Sequence, residues 1–164
     1  MAAEPEIDAV LDELRRLRSR VPQLTGTLAA GVDGLVIAHD TPGVDPEGLS
    51  ALTAAALGVA RRMSDATDQG GFRELLVRGA DGYVATYAAG ETAVLTLLAE
   101  DRVNVGRLHL EGRRAGARIG QLVDAAEAAA AKRSARTEAR STARTRTTRT
   151  PRTSAVTEPR TTTD

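Results

Sequence analysis

Two histidines, His39 and His109, are the first residues to test for chemistry, because an imidazole can act as a general base or hold a metal. Neither has a second ligand-type residue at a metal-binding spacing such as i+4, so both read as satisfied or exposed side chains. The chain holds no cysteine, which removes thiolate catalysis, disulfides and Cys-based metal sites and agrees with a reducing compartment. Neither G-x-x-x-x-G-K-[ST] nor G-x-G-x-x-G occurs, and Gly70-Gly71 has neither form. Carboxylates are scattered over helix faces and turns, where solvated surface is the simpler role. Arg61-Arg62, Arg73, Arg78 and Arg113-Arg114 raise the question of an arginine finger, which stabilises charge on a transferring phosphoryl group. Ordinary surface charge is the favoured reading of all of them. The chain therefore reads as non-catalytic, with no cofactor and no metal expected.

Charge is distributed unevenly. Residues 1–131 carry 13 basic and 19 acidic side chains, a balance of −6, while residues 132–164 carry 9 and 3, a balance of +6. An acidic body joined to a basic tail needs an explanation. The tail, with Arg136, Arg140, Arg144, Arg146, Arg149 and Arg152, shows no apolar periodicity and is expected to be disordered. Three roles stay open for it. It could be a passive extension, a salt-sensitive contact for nucleic-acid phosphates or an anionic membrane, or a substrate for Ser/Thr kinases. The tail has no aromatic residue to stack on bases, which argues against reading of base sequence.

The elements that would position any site follow from spacing. Ile7, Val10, Leu11, Leu14, Leu17 and Val21 recur every three or four residues and predict an amphipathic helix ended by Pro22. Gly26–Val32 and Leu35–Ala38, joined by Asp33-Gly34, predict a β-hairpin, and residues 39–44 a loop. Asp45 as N-cap, Pro46 at the first position and Glu47 in the first turn start a helix that runs to about Asp65. Phe72–Arg78, Tyr83–Ala88 and Ala93–Leu98 are short runs between tight turns, as in an antiparallel meander. A last helix is expected from about Asn104 to Ala131. Its Gly106, Gly112, Gly116 and Gly120 mean either close approach to the sheet or a frayed or bent helix. The order is α-β-β-α-β-β-β-α: a domain over residues 1–131 and a tail over 132–164.

Apolar residues make up 41% of the chain and aromatic residues 2%, so the core must be built from Leu, Val, Ile and Ala. No apolar run approaches the roughly 20 residues of a membrane span, nothing resembles a signal peptide, and a cytoplasmic protein is expected. Lys132 is the only lysine, which together with many Ala and Gly suggests a GC-rich bacterial genome. The central helix is unusual. Leu49, Leu52, Ala56, Val59 and Met63 mark one face, while Ala51, Ala54, Ala55 and Gly58 leave the other positions small and uncharged. A helix apolar on more than one face is usually buried on more than one face, which in a small domain suggests a second copy.

The element order, with Gly31-Val32-Asp33-Gly34-Leu35-Val36-Ile37-Ala38 at the hairpin and Asp101-Arg102-Val103-Asn104-Val105-Gly106 entering the last helix, resembles the roadblock/LC7 superfamily over roughly residues 6–125. The resemblance implies a five-stranded antiparallel sheet with helices on both faces, and no need for a bound nucleotide or a supplied catalytic residue. It also implies a homodimer formed by pairing the central helix (46–65) and the third strand (72–78) with their counterparts. The interface residues expected on that basis are Leu49, Leu52, Ala55, Ala56, Val59, Met63, Phe72 and Leu75. Partners implied for bacterial members are a small Ras-like GTPase or a sensor-kinase-like protein, so the leading expectation is a regulatory, homodimeric signalling platform. The alternative is a dimeric adaptor whose basic tail binds nucleic acid or anionic membrane non-specifically.

Overall fold

In the computed structural model, which describes residues 4–147, the elements run α1 (Glu4–Arg20), β1 (Leu24–Gly31), β2 (Val36–Asp40), α2 (Pro46–Ala66), β3 (Glu74–Arg78), β4 (Gly82–Ala89), β5 (Ala93–Glu100) and α3 (Val105–Thr147). The fold is α+β, and its five strands form one antiparallel sheet in the order β2-β1-β5-β4-β3. β5 lies in the middle and is buried through Ala93, Val94, Leu95, Thr96 and Leu97 in succession, as expected of a strand covered on both faces. One face packs against α1 and α3 through Val10, Leu14, Leu17, Leu108, Ile119 and Val123. The other carries α2 over a smaller core of Leu28, Ala30, Leu57 and Val94.

Local signals account for most element ends. Asp45 caps α2 by accepting the Gly48 amide at 3.0 Å, with Pro46 next to it. At the hairpin Gly34 takes φ +88°, and Asp33 accepts the Leu35 amide at 3.1 Å.

Three elements depart from the expected bounds. β2 continues through His39 and Asp40, where a loop was expected, because both pair with β1 (Leu28 and Thr27) and Arg18 of α1 meets Asp40 at 2.5 Å. β3 begins at Glu74, leaving Phe72 in the preceding loop, packed against the Leu28–Leu57 core. α3 continues past Ala131 to Thr147, so the segment 132–147 is helical where no regular structure was expected. Ala, Arg, Lys and Glu are good helix formers even without an apolar stripe, and this segment is rich in them. Arg149 and Arg152 lie outside the described residues. The chain divides into two compact units, Met1–Ala129 and Ala130–Asp164.

The glycines of α3 do let the helix approach the sheet closely. A Cβ on Gly116 would lie 2.8 Å from the carbonyl oxygen of Ala88, and one on Gly112 would overlap the ring of Tyr87. Gly120 stands likewise against the backbone of Ala89 and Gly90.

Candidate interaction surface

α2 presents two faces of different character. Toward the sheet it buries Ser50, Thr53 and Leu57. The Ser50 hydroxyl donates to the Gly34 carbonyl at 2.7 Å, and the Thr53 hydroxyl meets that of Thr96 at 3.2 Å. Thr96 in turn meets Thr86 at 3.1 Å, so buried hydroxyls satisfy one another from α2 across β5 to β4. Most of the apolar stripe named as an expected interface points away from the sheet. Leu52 is 70% exposed, Val59 59% and Met63 64%. Steps of three and four residues separate Leu52, Ala55, Val59 and Met63, so they share one line along the helix, and Ala55 is exposed too.

The remaining expected interface residues divide. Leu49 and Phe72 pack against the protein's own core beneath α2, and Ala56 is half-buried. Leu75 is half-buried on β3, where strand alternation puts it with Val77 on the α2 side of the sheet. Leu76 of the same strand packs into the opposite core. Val77 is 50% exposed and was missing from the expected set. Its period-two spacing from Leu75 was the available signal. β3 is an edge strand, hydrogen-bonded only to β4 within the sheet. The exposed apolar stripe of α2 can bury apolar area against a partner, and the free edge of β3 can add strand pairing.

The polar chemistry lies mainly on the other side of the sheet. Glu74 of β3 accepts from the guanidinium of Arg113 on α3 twice, each at 2.6 Å. Arg113 holds the Glu74 carboxyl below the ordinary carboxylate value, although burial opposes it. Burial pushes the Tyr87 phenol well up, and its hydroxyl meets His109 Nδ1 at 3.1 Å. His109 Nδ1 also lies 3.6 Å from Glu74, and the two rings meet edge-on. Nearby, the buried carboxylates of Glu13 and Glu111 both face Arg20, at 3.0 and 2.8 Å.

The arginines considered as fingers are accounted for in several ways. Arg113 is held by Glu74, Arg114 faces Glu111 at 3.4 Å, and Arg78 lies over the Tyr83 ring at 5.5 Å. Arg61, Arg62 and Arg73 are exposed. His39 meets the Thr41 hydroxyl at 3.2 Å. Among the described residues no group of three or more His, Cys, Asp or Glu is arranged to hold a metal, and no helix is long and apolar enough to cross a membrane.

Comparison with known proteins agrees with this architecture. The family model for the Roadblock/LC7 domain matches residues 10–99. The uncharacterized protein MJ0714 of Methanocaldococcus jannaschii is 36% identical over 117 residues, which is 71% of this chain and 95% of that protein. Among solved structures, an MglB in a tetrameric arrangement superposes with a TM-score of 0.71 at 20% identity, covering 76% of this chain and 94% of that one. A Roadblock/LC7 domain from Streptomyces avermitilis gives 0.64 at 22% identity, covering 69% and 96%.

Proposed function

This chain belongs to the Roadblock/LC7 domain family, and from that premise we propose that it is a non-catalytic, homodimeric regulatory platform for a small Ras-like GTPase or an associated signalling protein. The observation that carries the reading is the exposure of Leu52, Val59 and Met63 along one line of α2. Large apolar side chains so far out of a core are costly in water and gain about 25 cal/mol for each Å² covered. A second copy offers the same stripe, which suits the self-complementary contact of a two-fold dimer. The free edge of β3 could likewise pair with its own counterpart in antiparallel fashion. Resemblance to the family supports the same pairing, and it is in line with an MglB found in a tetrameric arrangement.

Regulation without catalysis fits the state of the polar groups. Arg113 is held by Glu74, Tyr87 and His109 meet each other, and Arg20 faces both Glu13 and Glu111, so each of these polar groups already has a partner within the chain. The partner class rests on the family resemblance.

Light scattering on the full chain tests the dimer: wild type should have twice the chain mass, and Ala55→Glu should be a folded monomer with unchanged circular dichroism. A dimer mass retained by Ala55→Glu would sink the α2 pairing. Titration with a small Ras-like GTPase from the same genome, in diphosphate and triphosphate forms, tests the partner. The expected result is saturable binding to one form in preference to the other.

A further inference from the structure

The basic segment that follows the domain is helical, and over residues 132–140 its cations share one side of the helix. Taking about 100° per residue, Lys132, Arg133, Arg136 and Arg140 fall within an arc of about 100°. All four are exposed. Ala135 and Ala139 both lie along one border of the arc and Thr137 along the other, while Ala131, Ser134 and Glu138 lie on the far side. Over this stretch one face is therefore cationic, with small side chains beside it.

This pattern separates two anionic partners. A helix that lies in a membrane interface needs large apolar side chains opposite its basic face, to bury among the acyl chains. Residues 130–147 include no Leu, Ile, Val, Met or aromatic residue. A duplex makes no such demand. Its phosphates form a regular line of negative charge, and its major groove, about 12 Å wide, admits an α-helix of about 10–12 Å. Alanine beside the cations keeps this helix slim, so that its backbone can come near the groove wall. Residues 130–147 include no Asn or Gln to read adenine and no aromatic ring to stack on bases, and arginine contacts to guanine alone cannot define a base sequence, so phosphate contact is the main attraction.

We propose that Lys132, Arg133, Arg136 and Arg140 form a docking face for the phosphate backbone of duplex nucleic acid, recognised by charge and shape and not by base sequence. The assignment stands whether or not α2 pairs two copies. It also gives a function to the charge separation along the chain, since the acidic body is repelled by the same polyanion that the helix attracts.

Fluorescence anisotropy of a labelled duplex of about 20 base pairs, titrated with the full chain, tests it. Four phosphate contacts correspond to a fall of roughly a hundredfold in affinity between 50 and 200 mM salt. Replacing Lys132, Arg133, Arg136 and Arg140 together by Gln keeps good helix formers and should weaken binding at low salt by at least about tenfold. The same treatment of Arg144, Arg146, Arg149 and Arg152 should cost clearly less. Circular dichroism of each variant separates a lost contact from a lost helix. The proposal is overturned if the full chain does not bind duplex at low salt, or if both variants lose equally. Retention on phosphatidylglycerol vesicles that the duplex cannot compete away would also overturn it.

Discussion

Gly112 of α3 stands against the ring of Tyr87 on β4, so close that a Cβ at position 112 would lie 2.6 Å from the ring's Cζ atom. The ring cannot yield easily, because Tyr87 is 1% exposed and its hydroxyl is tied to His109. Alanine at a helix interior normally gains about 1 kcal/mol over glycine. Here overpacking should outweigh that gain, and Gly112→Ala should lose about 1–3 kcal/mol net. Gly106→Ala is the control, since a Cβ there meets only the Asn104 side chain, at 3.4 Å. Thermal denaturation of the two variants should move in opposite directions or leave Gly106→Ala unchanged.

Glu74 supplies a prediction about pH. Arg113 lowers its carboxyl from the ordinary 4.5, so the folded chain binds the proton less readily than the unfolded chain. The stabilisation is complete above about pH 4.5 and disappears as pH falls through the depressed folded value. Glu74→Gln should flatten the acid limb of a denaturation-against-pH curve by lowering stability on the neutral side, modestly because solvent screens this partly exposed pair, and by leaving the acid end unchanged. An acid limb identical to that of wild type would show that other carboxylates govern it.

The sequence was a good guide where the determinant is local. Asp45-Pro46 marks a cap because both residues act within one turn, and Asp33-Gly34 marks a hairpin because only a few residues accept its backbone angles. The side of α2 that faces the sheet was not legible in this way. Ser50 and Thr53 look like surface residues until Gly34 and Thr96, which lie far off in sequence, supply their partners. Leu52, Val59 and Met63 look like core for the same reason, since periodicity finds an apolar line without saying what it touches. β2 gained His39 and Asp40 through strand pairing, a tertiary effect. The helix over 132–147 carries no apolar period and rests on the propensity of its Ala, Arg, Lys and Glu residues, a weaker signal than an apolar stripe.

Arg20 is the cation that the buried carboxylates of Glu13, on the same helix, and Glu111, on α3, have in common. Arg118 also faces Glu13 at 3.5 Å and Arg114 faces Glu111 at 3.4 Å, but both are more exposed. Removing Arg20 takes the nearest and least solvated cation from two buried carboxylates at once, a loss of up to about 3 kcal/mol. Arg20→Met should therefore destabilise strongly. Adding Glu13→Gln and Glu111→Gln should recover part of the loss, because the uncompensated charge then disappears. The urea midpoints of the single and triple variants check this, with m-values expected to stay constant. Additive losses in the triple variant would mean that the three side chains do not act as a unit.

Leu57 and Leu52, on opposite sides of the α2 question, should respond oppositely to truncation. Leu57 is 2% exposed and fills the core beneath the helix, so Leu57→Ala should cost about 2–5 kcal/mol of folding stability. Leu52, at 70% exposed, has little within its own chain to lose. Leu52→Ala should leave the stability of a separated chain within about 0.5 kcal/mol while weakening self-association. The measurement is unfolding at several protein concentrations. A wild-type dimer shows a midpoint that rises with concentration, because association favours the folded state by mass action. Leu52→Ala should flatten that dependence, whereas Leu57→Ala should keep the slope and shift the whole curve downward. A midpoint independent of concentration for the wild type would mean that the outer line of α2 is not paired with a second copy, and the exposed leucine would then belong to a contact with a different protein.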